Sequence, residues 1–147
     1  MEIRYAKKRD LPQLIELCKH HAEYEQAAYD EKGKPELLAG FLFGQTPSLK
    51  CLVVEQANSL IGYATFMKQF STWDAGYYIY LDCLFLKEAA RGKGLGGFIM
   101  ERLKEYVKIE NCSSLQWQTP DSNQKAIDFY RKIGGVSKRK ERFFLNI

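Results

Sequence analysis

The chain predicts an α/β fold of the α+β kind, a mixed, mostly antiparallel twisted sheet of roughly six to seven strands flanked by about four helices. Three observations lead there. Hydrophobic periodicity switches repeatedly between strand-like and helix-like stretches. Two strand-like runs, Cys51 to Glu55 and Leu60 to Met67, are joined by the turn residues Ala57-Asn58-Ser59 and read as an antiparallel hairpin. A glycine-rich loop, Arg91 to Gly97, separates an apolar strand-like run from an amphipathic helix. At 147 residues the chain has the size of one ordinary domain, so 1–147 is taken as a single unit.

Taken in order, Glu2 to Ala6 has strand character and runs into the charged turn Lys7-Lys8-Arg9. Asp10, with Gln13 three residues on, suits a helix cap, and Leu11, Leu14, Ile15, Cys18 and Ala22 then recur at helical spacing. The end of that helix is polar, with His20, His21, Glu23, Tyr24 and Glu25. Adjacent histidines cannot both face one metal from a helix, so a solvated helix end is the reading for the pair. Pro35 opens a second short helix with Leu37, Leu38, Phe41 and Leu42 apolar, and Gly44 to Pro47 stops it. The hairpin follows, and Ser71 to Gly76 connects it to a central strand, Tyr77 to Leu86, in which Asp82 is the one charged residue. After the glycine loop, Leu95, Phe98, Ile99, Leu103, Tyr106 and Val107 fall on one helical face. Ser114 to Thr119 reads as a further strand and Asn123 to Ile133 as a helix ended by Gly134-Gly135. Arg142 to Ile147 reads as a last strand. The order is β-α-α-β-β-β-α-β-α-β.

Composition narrows the function classes. Hydrophobic residues make up 46% and charged residues 27%, the balance of a folded, water-exposed domain. No apolar run approaches the ~20 residues of a membrane span, and the Met1-Glu2-Ile3-Arg4 start lacks signal-peptide character, so a cytoplasmic protein without a membrane partner is expected. Cys18, Cys51, Cys83 and Cys112 lack paired metal-ligand spacing and read as buried reduced thiols, with no metal site expected. The net charge of +4 suits an anionic ligand, but the basic run Lys138-Arg139-Lys140 is too short to argue for nucleic acid.

The loop Arg91-Gly92-Lys93-Gly94-Leu95-Gly96-Gly97 carries the sharpest chemical signal. Glycines allow close backbone approach, and the first amides of the following helix have no partners within it, so together they form an anion site suited to phosphate. Gly92, Gly94 and Gly97 satisfy the dinucleotide pattern G-x-G-x-x-G, but no acidic residue ends the next strand to hold a ribose. A nucleoside triphosphate loop is excluded because no Gly-Lys-Ser/Thr follows.

With the element order, this loop resembles the GNAT superfamily of acyl-CoA-dependent N-acetyltransferases. Arg91, Gly94 and Gly96 match the family signature Arg/Gln-x-x-Gly-x-Gly/Ala, and Asn123 to Tyr130 gives a second match in the expected helix. The spellings Tyr80 to Leu86, Asn111 to Leu115 and Ala126 to Gly135 look closest to the spermidine/spermine and thialysine acetyltransferase branch. The resemblance implies a GNAT fold, acetyl-CoA as co-substrate, a small-molecule amine as acceptor and a homodimer.

The resemblance also implies roles for residues. The backbone of Leu84, Phe85 and Leu86 would pair with the pantetheine arm. Gly92, Gly94, Leu95, Gly96 and Gly97 would receive the pyrophosphate, with charge from Arg91 and Lys93. Asn123 would hydrogen-bond the pantetheine, and Tyr130 would be the general acid, although an aromatic on an apolar helix face also suits packing. Asp82 would be the base, through water, or else a buried carboxylate paired with a lysine or arginine. Lys125, Arg131 and Lys132 suit either phosphates or a solvated helix face. Tyr24, Glu25, Trp73, Asp74 and Asp82 would rim an acidic, aromatic cleft for a cationic amine. Where polyamine-acetylating relatives carry an Asp after the central-strand Glu, this chain has Cys83, which leaves diamines, thialysine-like amino acids and other amines open. The alternative is an acyl-CoA-binding regulatory or interaction domain with little transferase activity.

Overall fold

A computed structural model describes all residues, Met1–Ile147. Its sheet has five strands in sequential order, β1 (Glu2–Tyr5), β2 (Lys50–Gln56), β3 (Ser59–Ser71), β4 (Gly76–Leu86) and β5 (Leu115–Trp117). The first three junctions are antiparallel and the last, β4 with β5, is parallel. The helices are α1 (Leu11–Tyr24), α2 (Lys34–Phe43), α3 (Leu95–Ile109) and α4 (Gln124–Lys132). A parallel junction needs a crossover, and α3 supplies it between β4 and β5.

Alternating side chains put a core on each face of the sheet. On one face Leu52, Val54, Phe66, Ile79 and Leu81 meet Leu95, Ile99, Met100 and Leu103 of α3, with Phe129, Tyr130 and Ile133 of α4 packed at the side. On the other, Cys51, Val53, Tyr63 and Phe85 meet Leu14 and Leu17 of α1 and Leu42 of α2. Adjacent residues of β2 thus serve opposite cores, which explains its nearly uninterrupted apolar run.

Three sequence expectations change. Asp10 does not cap α1 with its side chain. It accepts two hydrogen bonds from the buried Arg4 guanidinium, at 2.7 and 2.9 Å, and one from the Lys7 amide, because a buried arginine needs a carboxylate more than a helix end does. Gln13 instead clamps the β2–β3 turn, accepting from the Leu60 amide at 2.8 Å and donating to the Asn58 carbonyl. The expected strand Arg142 to Ile147 does not form, so the sheet has five strands rather than six or seven. β5 offers an edge only three residues long, and the consecutive Phe143-Phe144-Leu145 lacks the alternation that would give a strand one buried face; all three remain exposed.

Candidate active site

The site grows from an irregularity in β4. Across β3, Thr65 pairs with Cys83 and Phe66 with Leu81, leaving Asp82 as an extra residue with no partner. Leu81 therefore packs in the α3-side core while Cys83, two positions on, packs in the α1-side core. Beyond the bulge the even positions Leu84 and Leu86 turn to the α3 side, and Phe85 to α1. Asp82 itself is exposed, and no lysine or arginine pairs with it, so the ion-paired alternative for this carboxylate is not realised.

The bulge coincides with the point where the sheet opens. β5 pairs with β4 only at Ile79, Tyr80 and Leu81, so from Asp82 to Leu86 the outer edge of β4 has no neighbour. Lys87 donates its amide to Ile61 across β3, at 2.9 Å. Because antiparallel pairs alternate, the amide and carbonyl groups of Leu86 and Leu84 point away from β3, toward that open edge, and those of Phe85 point inward. The edge thus offers backbone donors and acceptors to an extended ligand at Leu84 and Leu86, whereas Phe85 contributes a side chain. Gly62 permits the tight β3–β4 approach beside them, since a Cβ there would meet Leu86 Cδ2 and the Phe85 carbonyl.

At the end of this edge lies the glycine loop. Gly92 and Gly94 adopt φ of +73° and +78°, a region that side chains disfavour. Gly94 precedes α3, and no side chain caps the helix, which leaves its first amides free beside a positive dipole end. A Cβ at Gly96 would come within 3.0 Å of the Phe129 ring, so this glycine lets α4 dock against the start of α3. Leu95 is buried in the core and anchors the loop, so only its backbone faces the anion site. Lys93 is fully solvated.

Arg91 turns away from the loop. Its Nε donates to the Leu86 carbonyl at 2.8 Å, and its guanidinium lies 4.2 Å from the Tyr24 ring centre and 5.5 Å from that of Phe85. The Tyr24 face expected to meet an acceptor cation is thus occupied by a cation of the chain itself. Asn123 caps α4, accepting from the Ala126 amide at 3.2 Å, and its side-chain NH2 remains free. Lys125, Arg131 and Lys132 are exposed on α4.

Tyr130 packs between Trp117 and Phe129, with ring centres 5.1 and 5.2 Å away. Burial pushes its phenol up to about 12, and the Glu25 carboxylate adds to the effect. Cys83 lies in the α1-side core next to Asp82, its Sγ 3.6 Å from Oδ2; burial and then the Asp82 charge push the thiol up to about 12. Cys83 is therefore a packed thiol and no nucleophile at neutral pH. Tyr24, the β4 edge and the start of the glycine loop converge through Arg91, with Asp82 at the opening of that edge. Trp73 and Asp74 do not: they sit in the β3–β4 turn, at the far end of the hairpin, where Trp73 is 96% exposed and Asp74 accepts from the Ser71 hydroxyl.

Two features were missed in the sequence. No local pattern announces the bulge at Asp82. His21, read as part of a solvated helix end, stacks on Phe85 at 5.1 Å and engages both Tyr63 and Glu25. Its signal was present in the row Leu14, Cys18, His21, Glu25, which follows the buried stripe of α1 at helical spacing. No group of three or more His, Cys, Asp or Glu side chains is placed to hold a metal ion, and no helix is long and apolar enough to cross a membrane.

Comparison with known proteins agrees with this geometry. Residues 13–135 match the model of the Acetyltransferase (GNAT) family. A thialysine N-epsilon-acetyltransferase of Bos taurus is 34% identical over 140 residues, covering 90% of this chain and 82% of that protein. Spermidine/spermine N(1)-acetyltransferase-like protein 1 of Homo sapiens is 25% identical over 151 residues, covering 95% of this chain but 21% of that protein. Among solved structures, an aminoglycoside acetyltransferase from an uncultured soil metagenomic sample, in complex with sisomicin, superposes with a TM-score of 0.84 at 16% identity, over 99% of this chain and 95% of that one. At that identity the likeness speaks for the fold. A five-stranded sheet that opens at a β4 bulge above a bare helix N-terminus, joined to these matches, makes the chain an acetyltransferase of the GNAT family.

Proposed function

We propose that the chain transfers an acetyl group from acetyl-CoA to the primary amine of a small cationic acceptor, by direct attack in a ternary complex. The observation that carries this reading is the unpaired outer edge of β4, which runs from Asp82 toward the uncapped start of α3. The outward backbone groups of Leu84 and Leu86 suit the amides of a pantetheine arm, and the free amides from Leu95 to Gly97 suit a pyrophosphate. The NH2 of Asn123 is available to the same arm. Arg91 contributes by closing the end of the β4 edge and, on leaving Leu86, by adding charge near the phosphates.

In this reading the acceptor binds as an ammonium ion and must lose a proton before it attacks. Asp82, exposed at the bulge and free of any cationic partner, takes that proton through water. The amine nitrogen then bonds to the acyl carbon, with an outward amide of β4 stabilising the oxyanion. The carbon–sulfur bond breaks, Tyr130 donates its phenolic proton to the departing thiolate, and the second proton lost by the acylated nitrogen returns through water to the Tyr130 phenolate. The products are the N-acetylated amine and free CoA thiol, with one proton released to solvent. Glu25 and Asp82 favour a cationic acceptor, and the thialysine and spermidine/spermine named for the relatives are both cationic amines.

The test is thiol release from acetyl-CoA in the presence of thialysine, 1,4-diaminobutane, spermidine and lysine. Stoichiometric thiol and acetylated amine are expected with at least one of them. Tight CoA binding with silence across a broad amine panel would instead favour an acyl-CoA-binding domain.

A further inference from the structure

His21 is the polar group of this region that the reaction above leaves unused. It lies on the inner face of α1, its side chain 14% exposed, stacked on Phe85 with a 22° interplanar angle and meeting the Tyr63 ring edge-on. Its Nδ1 is 2.9 Å from the Tyr63 hydroxyl and its Nε2 3.2 Å from Glu25 Oε1. The Glu25 carboxylate can only accept, so in the neutral ring Nε2 is the donor nitrogen and Nδ1 accepts from the Tyr63 hydroxyl. The imidazole proton then resides on Nε2 and is donated to Glu25.

Glu25 itself stands against local electrostatics. It is the C-terminal cap of α1, where the negative end of the helix dipole disfavours a carboxylate. No lysine or arginine pairs with it, and the nearby guanidinium of Arg91 is directed to Tyr24 and Leu86. Its side chain is 41% exposed and its one hydrogen-bond partner is His21. A carboxylate in an unfavourable position, fixed through one oxygen by a half-buried imidazole and otherwise open to solvent, has the form of a cation receptor.

We propose that His21 is a positioning residue for acceptor recognition: its Nε2–H, braced by Tyr63 and Phe85, holds the Glu25 carboxylate at the end of α1, where Glu25 receives the ammonium group of the acceptor. The proposal rests on the transferase reading for the identity of the ligand, and it assigns His21 no contact with the reacting atoms.

The test is a double-mutant cycle of H21A and E25Q, with H21Q as the conservative variant. It is read on steady-state kinetics with thialysine and on calorimetric binding of thialysine to the CoA-loaded protein. H21A and E25Q should each raise the acceptor KM roughly tenfold, as expected for one hydrogen bond to a charged group. They should leave kcat and the acetyl-CoA KM within about twofold, and the double variant should be no worse than either single one. H21Q, which keeps a side-chain N–H, should recover part of the affinity, and Y63F should show a smaller loss in the same parameter. Additive losses, or a fall in kcat or in acetyl-CoA binding with the acceptor KM unchanged, would overturn the role of His21. Thialysine binding that obeys the cycle without any turnover would uphold the His21–Glu25 receptor and remove the transferase reading, whereas absence of both binding and turnover would overturn both.

Discussion

Tyr130 gains its chemical character from its surroundings. Burial between Trp117 and Phe129, reinforced by the Glu25 charge, raises the phenol to about 12, so the proton needed by a leaving thiolate stays in place at every pH below that. Replacing Tyr130 with phenylalanine keeps the ring packing and removes only the donor. Y130F should lower kcat on the order of 10²-fold while acetyl-CoA affinity, measured by calorimetry, changes less than about twofold; equal losses in both would take Tyr130 out of the acid role. Ionisation of Tyr130 should also leave no alkaline fall in kcat up to about pH 9. A second residue-scale prediction concerns stability. The Arg4 guanidinium holds Asp10 below the usual carboxylate range, with the two side chains 9% and 5% exposed. A folded-state value below the unfolded one contributes stability above the unfolded value, and that contribution fades as pH falls through it toward the folded value. D10A should therefore cost about 3–5 kcal/mol in urea unfolding at neutral pH, because it leaves Arg4 buried with only Glu55. Wild-type protein should lose the same advantage progressively below about pH 4.

Among the elements, β4 does the most to create the site, and its bulge sets which face each later residue serves. Strand side chains have a period of two, so one extra residue would exchange the faces of everything beyond it unless a bulge absorbed it, as it does here. Deleting Asp82, the residue without a β3 partner, would leave Leu81 and Cys83 adjacent on the opposite faces they already occupy, so both cores would keep their residues while β4 lost the irregularity at the opening edge. The deletion should therefore keep a cooperative thermal unfolding and weaken acetyl-CoA binding, whereas D82N should retain cofactor affinity and melting temperature and lose turnover alone. If the deletion variant still bound acetyl-CoA like wild type, the bulge would not be the origin of the open edge. The glycine loop allows a graded comparison. Gly94→Ala forces a side chain into φ of +78° at the start of α3, at a cost of about 1–2 kcal/mol in stability. Gly97→Ala, by contrast, adds a Cβ into open space in the protein alone. A ligand seated against that turn would feel the added methyl, so Gly97→Ala should spare thermal stability and weaken acetyl-CoA binding.

Across the whole molecule, the sequence revealed what periodicity and glycine encode and was silent on what only a neighbour decides. The order of strands and helices, the hairpin at Ala57-Asn58-Ser59 and the glycine loop before α3 are local patterns and were legible. The missing last strand was not, since Arg142 to Ile147 has strand composition but no adequate edge to pair with. Nor were the Asp82 bulge, the inward turn of Arg91 and the seating of His21, each fixed by residues distant in sequence. The same contrast applies to the two cores, which periodicity announced as apolar stripes and which tertiary pairing separated by one sheet. Leu14 of α1 and Leu103 of α3 are 1% and 0% exposed and belong to different cores. Each leucine truncated to alanine should cost about 2.7–5 kcal/mol, from lost transfer energy and the cavity left behind. Because the sheet stands between them and they share no partner, the double variant should show the sum of the two within about 0.5 kcal/mol by urea unfolding. Non-additivity beyond that would mean that the β-sheet transmits packing changes from the α1 face to the α3 face. The acceptor side and the cofactor side of the open edge would then be mechanically coupled through Phe85 and its neighbours.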